Sequence, residues 1–238
     1  MIKAAEEASM AIIRDFGELE KLQVSRKGIK SFVTSADKFA ERKISELLSK
    51  ARPDFSFMRE ESGTITNSLK ETWIIDPIDG TNNFMRGIPY FAINIALSNN
   101  DEIVSCVTFD PLRCDCFCSD KGSGAFLGNR NRLRVSGRES LHESFIAINL
   151  PIEDIRNFSS EIAIFRKTGS VALDLAYLAA GKYDAVIAKN VGFWDVASGI
   201  LLIKEAGGFL NCFKQPDDQY SIFAASSSKL LTQIEKFS

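Results

Sequence analysis

The chain has 238 residues, 45% of them hydrophobic, and a formal charge of −2 at pH 7. That suits a single domain over 1–238, with an N-terminal α+β lobe to 135 and a C-terminal α/β lobe from 136. No basic footprint points to nucleic acid, no apolar run reaches membrane-spanning length, and the acidic N-terminus lacks the apolar core of a secretory signal, so a cytoplasmic protein with neither nucleic-acid nor membrane partner is expected.

Ala4, Ala8, Ile12 and Phe16 recur at helical spacing and predict an amphipathic first helix. Val33-Thr34-Ser35-Ala36-Asp37 leads into a second helix with Phe39, Ile44, Leu47 and Leu48 on its apolar side, stopped by Pro53. Phe55 to Met58 reads as a short strand running into Arg59-Glu60-Glu61-Ser62-Gly63, and 63–70 as polar loop. Trp73 to Ile75 is a buried strand that breaks into a tight turn at Asp76-Pro77-Ile78-Asp79-Gly80. From Phe91 to Phe126 the pattern is β, with turns at Asn99-Asn100-Asp101 and Asp110-Pro111. The second half alternates: strands at 145–150, 185–188, 209–212 and 222–225, helices at 171–180 and 195–206, and a final helix. Helices and sheets in layers are expected.

Cys114, Cys116 and Cys118 repeat with the period of a strand, which puts all three on one face. Zinc sites favour wider cysteine pairs, and five cysteines without a secretory signal do not make a disulfide framework, so reduced, packed thiols are expected. His142 is the single histidine and lies in a polar stretch, which excludes a multi-histidine centre and suggests a surface residue.

The chemistry concentrates in acids just past predicted strands or before predicted helices: Glu60 and Glu61, Asp76 and Asp79, and Asp195. Asp195 also suits a helix cap, and Glu60/Glu61 a solvated loop. Asp76 and Asp79 have little structural use after Trp-Ile-Ile. Several carboxylates from separate elements suit magnesium, which takes hard oxygen ligands. A calcium loop fails because its third ligand position is Ile78. A haloacid-dehalogenase arrangement fails because the two aspartates are three apart, which in an extended chain points them to opposite faces. No Gly-x4-Gly-Lys-Ser/Thr phosphate loop occurs.

Trp73 to Phe84 matches Trp-x-Ile-Asp-Pro-Ile-Asp-Gly-Thr-x-Asn-Phe, and Trp194 to Ala197 with Glu205 to Gly208 matches Trp-Asp-x-Ala…Glu-Ala-Gly-Gly. Val33 to Asp37 and Gly169 to Leu175 supply two further elements in the right order. The chain therefore resembles the inositol monophosphatase family, magnesium-dependent and lithium-sensitive phosphatases related to fructose-1,6-bisphosphatase. The resemblance implies an α/β/α/β/α sandwich, usually a homodimer, holding two or three Mg2+ ions. It implies that Glu61, Asp76, Asp79 and the Ile78 carbonyl hold metal, with Asp195 completing the second site. Gly80 and Thr81 would offer amides to the phosphate of a small monoester, while Asp79 and Asp195 would also face substrate. Thr81, Asp37 and Glu61 would act on the attacking water.

Two departures stand out. Arg59 replaces the glycine of the family's Gly-Glu-Glu, which adds a cation near the acids. Seven residues before Asp195, where the family places a ring-contacting glutamate, this chain has Ala188 followed by Lys189. The implied activity is hydrolysis of inositol monophosphate. The alternatives are another small phosphate ester (fructose-1,6-bisphosphate, histidinol phosphate or 3′-phosphoadenosine 5′-phosphate) or a regulatory partner of the transcription machinery.

Overall fold

A computed structural model describes residues 1–22, 26–68, 70–151, 154–155 and 164–237. Helices α1 (Ile2–Leu22) and α2 (Arg26–Ala51) pack together on one face of a seven-stranded sheet. That sheet runs in sequence order through β1 (Ser56–Arg59), β2 (Glu71–Asp79), β3 (Ala92–Asn99), β4 (Glu102–Asp110), β5 (Asp115–Asp120), β6 (Gly124–Leu127) and β7 (Asn131–Arg132). Only β1 and β2 are parallel; the other neighbours are antiparallel. A five-residue helix, α3 (Thr81–Met85), follows β2.

The second sheet has the order β11-β12-β10-β8-β9, from β8 (Phe145–Asn149), β9 (Ile164–Arg166), β10 (Ala185–Val191), β11 (Phe209–Lys214) and β12 (Tyr220–Ala225). β8 runs parallel to both β9 and β10, and β12 antiparallel to its neighbours. Helices α4 (Val171–Ala179) and α5 (Phe193–Glu205) lie between the sheets, and α6 (Ser228–Ile234) covers the outer face of the second. The result is the layered α/β/α/β/α sandwich. No helix of the described residues is long and apolar enough to cross a membrane.

Side-chain alternation on β2 produces this layering. Trp73 and Ile75 enter the cluster under α1 and α2, whereas Ile74 joins the central cluster with α4 and α5. All nine residues of α4 are buried, as expected of a helix apolar on nearly every side, with Asp174 its one charged residue. α4 and α5 touch at Gly199, where a Cβ would lie 2.4 Å from Leu175 Cδ1. Ser198 Oγ donates to the Ile95 carbonyl at 3.1 Å, which ties α5 to β3.

Four features depart from the sequence reading. Residues 33–37 lie inside α2 and do not merely precede it. β2 continues through Pro77 to Asp79 where a turn was expected. β7 and β9, two and three residues long, carry too little periodicity to be read. Cys114 precedes β5 with φ +55 and is exposed, so only Cys116 and Cys118 share the predicted face. His142 is exposed in a 3-10 turn.

Candidate metal centre

β2 carries a bulge that makes a spacing of three work. Asp76 pairs with Asn94 of β3 and Asp79 with Ala92, so three steps on one strand face two on the other. Pro77 sits inside this irregularity, where a missing N–H breaks no ladder bond. Asp76 Oδ1 accepts from the Ile78 amide at 3.0 Å and stiffens the kink. The alternation argument that separated the two aspartates therefore does not hold here, and both carboxylates turn to one side.

Asp195 completes the group from α5. Oxygens of Asp76, Asp79 and Asp195 all lie within 4.8 Å of one another. Asp195 also closes the first turn of its helix, with Oδ2 accepting from the Gly192 amide at 2.9 Å. Capping and clustering coexist in this residue, so the two readings of Asp195 are not exclusive. Asp79 Oδ2 accepts from the Ala172 amide at 2.9 Å and from Ser170 Oγ, the N-cap of α4. Two helix N-termini thus converge on the acids, whose negative charge their dipoles favour.

Burial and mutual repulsion leave these acids short of a cation. Asp76 and Asp195 are held well above the usual carboxylate range, chiefly by burial and then by the neighbouring acids. Burial lifts Asp79 to about 7, against the hydrogen bonds from Ser170 and Ala172. At an effective dielectric of about 20, two charges within 4.8 Å repel by roughly 3 kcal/mol or more. Three such pairs rival the roughly 5–15 kcal/mol that holds a whole domain folded. The trio therefore keeps protons or binds a cation. Its donors are all oxygens, and among the described residues no nitrogen or sulfur joins them, so the set fits a hard divalent ion.

The glutamate beside the trio is Glu60. Its carboxyl lies beside that of Asp76, its backbone amide donates to the Ile75 carbonyl at 3.2 Å, and its charge acts on Asp76, Asp79 and Asp195. Glu61, the predicted ligand, faces α2, where its amide donates to Glu41 Oε2 at 2.9 Å. Burial and Glu41 raise its carboxyl, and Lys38 is its opposing cation.

Asp37 is buried in α2, its Oδ1 has no hydrogen-bond partner among the described residues, and burial together with Glu61, Glu60 and Glu41 pushes it up to about 8. Thr81 Oγ1 donates to the Ile78 carbonyl at 3.1 Å. Gly80 has φ +99, and a Cβ there would lie 3.1 Å from the Tyr90 carbonyl and 3.3 Å from that of Gly169. Arg59 donates to the carbonyls of Gly63 and Ser62, so its charge is bound to its own loop. Ala188 is fully buried in β10, between Asn149 and Ile222.

Several supporting residues were given no role by the sequence reading, although Asn83 and Asp174 lie inside its motifs. Asn94, visible only as a break in an apolar run, donates to the Trp194 carbonyl at 2.5 Å and accepts from Thr108 Oγ1 at 2.8 Å. It fixes the residue before Asp195. Asn83 donates to the carbonyls of Tyr90 and Thr168 at 2.7 and 2.9 Å, joining α3 to the loop before α4. Asp174, raised to about 7 by burial, accepts from Tyr90 and Thr168 in the same joint.

The sequence profile of the inositol monophosphatase family matches residues 1–234. An inositol-1-monophosphatase of Caulobacter vibrioides is 44% identical, with 98% of this chain and 97% of the relative covered. A Nus factor SuhB of Xylella fastidiosa is 37% identical over 91% of this chain and 82% of its own length. Among solved structures, the extragenic suppressor protein suhB of Bartonella henselae superposes with a TM-score of 0.86 at 37% identity, covering 100% of this chain and 95% of that one.

Proposed function

The chain belongs to the inositol monophosphatase family, and we propose on that premise that it is a magnesium-dependent phosphatase of small phosphate monoesters, with inositol monophosphate as its substrate. The trio of buried Asp76 and Asp79 with half-buried Asp195, at the meeting of two helix N-termini, carries this reading. Glu60 joins them as the fourth carboxylate in place of Glu61, because the Glu60 carboxyl acts on Asp76, Asp79 and Asp195 whereas that of Glu61 is set against Glu41 and Lys38 of α2. The Ile78 carbonyl is the remaining ligand, and two or three ions are held.

When bound, magnesium supplies Lewis-acid polarisation of water and neutralises charge on the phosphoryl oxygens. The protein's own groups do the rest. The amides of Gly80 and Thr81 face the phosphate. Asp37, with one buried oxygen free of partners among the described residues, accepts the proton of the attacking water, and the Thr81 hydroxyl orients that water. Asp79 and Asp195 hold the ester end in line for displacement. The active form is a cytoplasmic homodimer.

A panel of phosphate monoesters, assayed with magnesium and then with added lithium, tests this reading. Magnesium-dependent release of phosphate from inositol monophosphate, inhibited by lithium, is expected; turnover indifferent to magnesium would remove the metal assignment. Relatives named Nus factor SuhB favour a second reading, a regulatory partner of the transcription machinery. Asp79→Asn separates the two: a cellular phenotype that survives the loss of hydrolysis belongs to binding.

A further inference from the structure

Three polar side chains stand in one row across the face of the first sheet that α5 covers. Asp76 of β2 pairs with Asn94 of β3, and Asn94 with Thr108 of β4. Directly opposed residues of antiparallel strands share a face. The next row on that face, Ile74, Ala96 and Cys106, is part of the central apolar cluster. All three polar residues are buried, where a polar group without partners is costly. A carbonyl only accepts, so the Asn94 amide nitrogen faces that of Trp194, at 2.5 Å. Its oxygen is left to accept from the Thr108 hydroxyl at 2.8 Å. Thr108 thereby holds the amide in the one orientation that grips Trp194. One turn along α5, Ser198 Oγ donates to the carbonyl of Ile95, the residue after Asn94. The start of α5 is thus seated on β3 at two neighbouring points.

Asn94 therefore stands between two of the clustered acids. It is opposite Asp76 across the ladder and bonded to the residue before Asp195. We propose that Asn94, oriented by Thr108, is a positioning residue that fixes the separation of Asp76 and Asp195 and so selects magnesium over calcium. Magnesium is the smaller ion and demands near-ideal octahedral geometry, whereas calcium accepts longer and more varied contacts. A pair of carboxylates that cannot move apart favours the smaller ion. The proposal rests on the metal-dependent reading and names what sets the choice of ion within it.

Isothermal titration of the full chain with magnesium alone and with calcium alone tests it. The native protein is expected to bind magnesium more tightly than calcium. Thr108→Val keeps the shape and removes the hydroxyl. It should lower the ratio of the two binding constants by about tenfold, the low end for groups that orient metal ligands. Asn94→Leu should lower the ratio at least as far. Thr108→Ser keeps the hydroxyl and loses a methyl, so it should hold the native ratio even where its urea midpoint falls. A Thr108 that matters only by packing would give the reverse order, with Thr108→Ser the damaging change, and that result overturns the proposal. A ratio unchanged in Thr108→Val, or a native protein that binds calcium as tightly as magnesium, overturns this role of Asn94 alone. Binding of neither ion by the native protein overturns the metal-dependent reading and this proposal with it.

Discussion

Each carboxylate of the cluster has a structural partner as well as a place in the proposed metal shell. Asp195 accepts from the Gly192 amide, Asp79 from Ala172, and Asp76 from Ile78. An asparagine keeps one acceptor oxygen for each of these bonds while removing the charge, so Asp76→Asn and Asp195→Asn should leave the fold intact. Turnover in either should fall by at least about a hundredfold through loss of a ligand. Their melting temperatures in EDTA should equal or exceed that of the native protein, because one source of like-charge repulsion is gone. Calorimetry beside a phosphate-release assay checks both halves, and normal magnesium-dependent turnover would sink the ligand assignment. The neighbouring glutamates give a sharper contrast. Glu60→Gln should cost far more kcat than Glu61→Gln and should weaken magnesium binding by isothermal titration. Equal losses would mean that both glutamates serve the metal.

Among the elements, the kinked end of β2 matters most. The bulge turns a spacing of three into a same-side pair, and Gly80 then carries the chain into α3 with φ +99. Any Cβ there meets strain as well as the Tyr90 and Gly169 carbonyls. Gly80→Ala should lower stability in urea by about 1–3 kcal/mol, the range for strained backbone positions. It should also impair activity, since those carbonyls belong to the joint that Asn83 ties together. An unchanged urea midpoint would show that the turn relaxes freely. The strand's apolar start was legible from Trp73-Ile74-Ile75, but its continuation through a proline was not, because only pairing with β3 reveals a bulge.

For the whole molecule, the buried acids couple folding to pH. Asp37 is pushed to about 8 and Asp79 and Asp174 to about 7, all from an ordinary 3.8. Native protein without metal therefore binds more protons than unfolded chain between about pH 4 and 8, and stability falls as pH rises through that window. Magnesium needs the deprotonated ligands, so its binding strengthens over the same interval. The melting temperature in EDTA should drop from pH 5 to pH 8.5, and the increase given by saturating magnesium should grow. A flat profile in EDTA would show that the acids are ionised together without a cation.

The amino-acid sequence by itself determined the longer elements and which acids gather, because periodicity, turn residues and the two long signatures are local properties of the chain. Asp76, Asp79 and Asp195 were legible in that way, as was the layered fold. Only the tertiary structure decided which of Glu60 and Glu61 faces the trio, where Arg59 spends its charge, and that Asn94, Asn83 and Ser170 brace the site. The physical reason is the same for each. A side chain's direction at a strand end or bulge is set by the partner strand and by the helix packed across it, and those neighbours come from residues as much as 100 positions away, as Asn94 and Trp194 do.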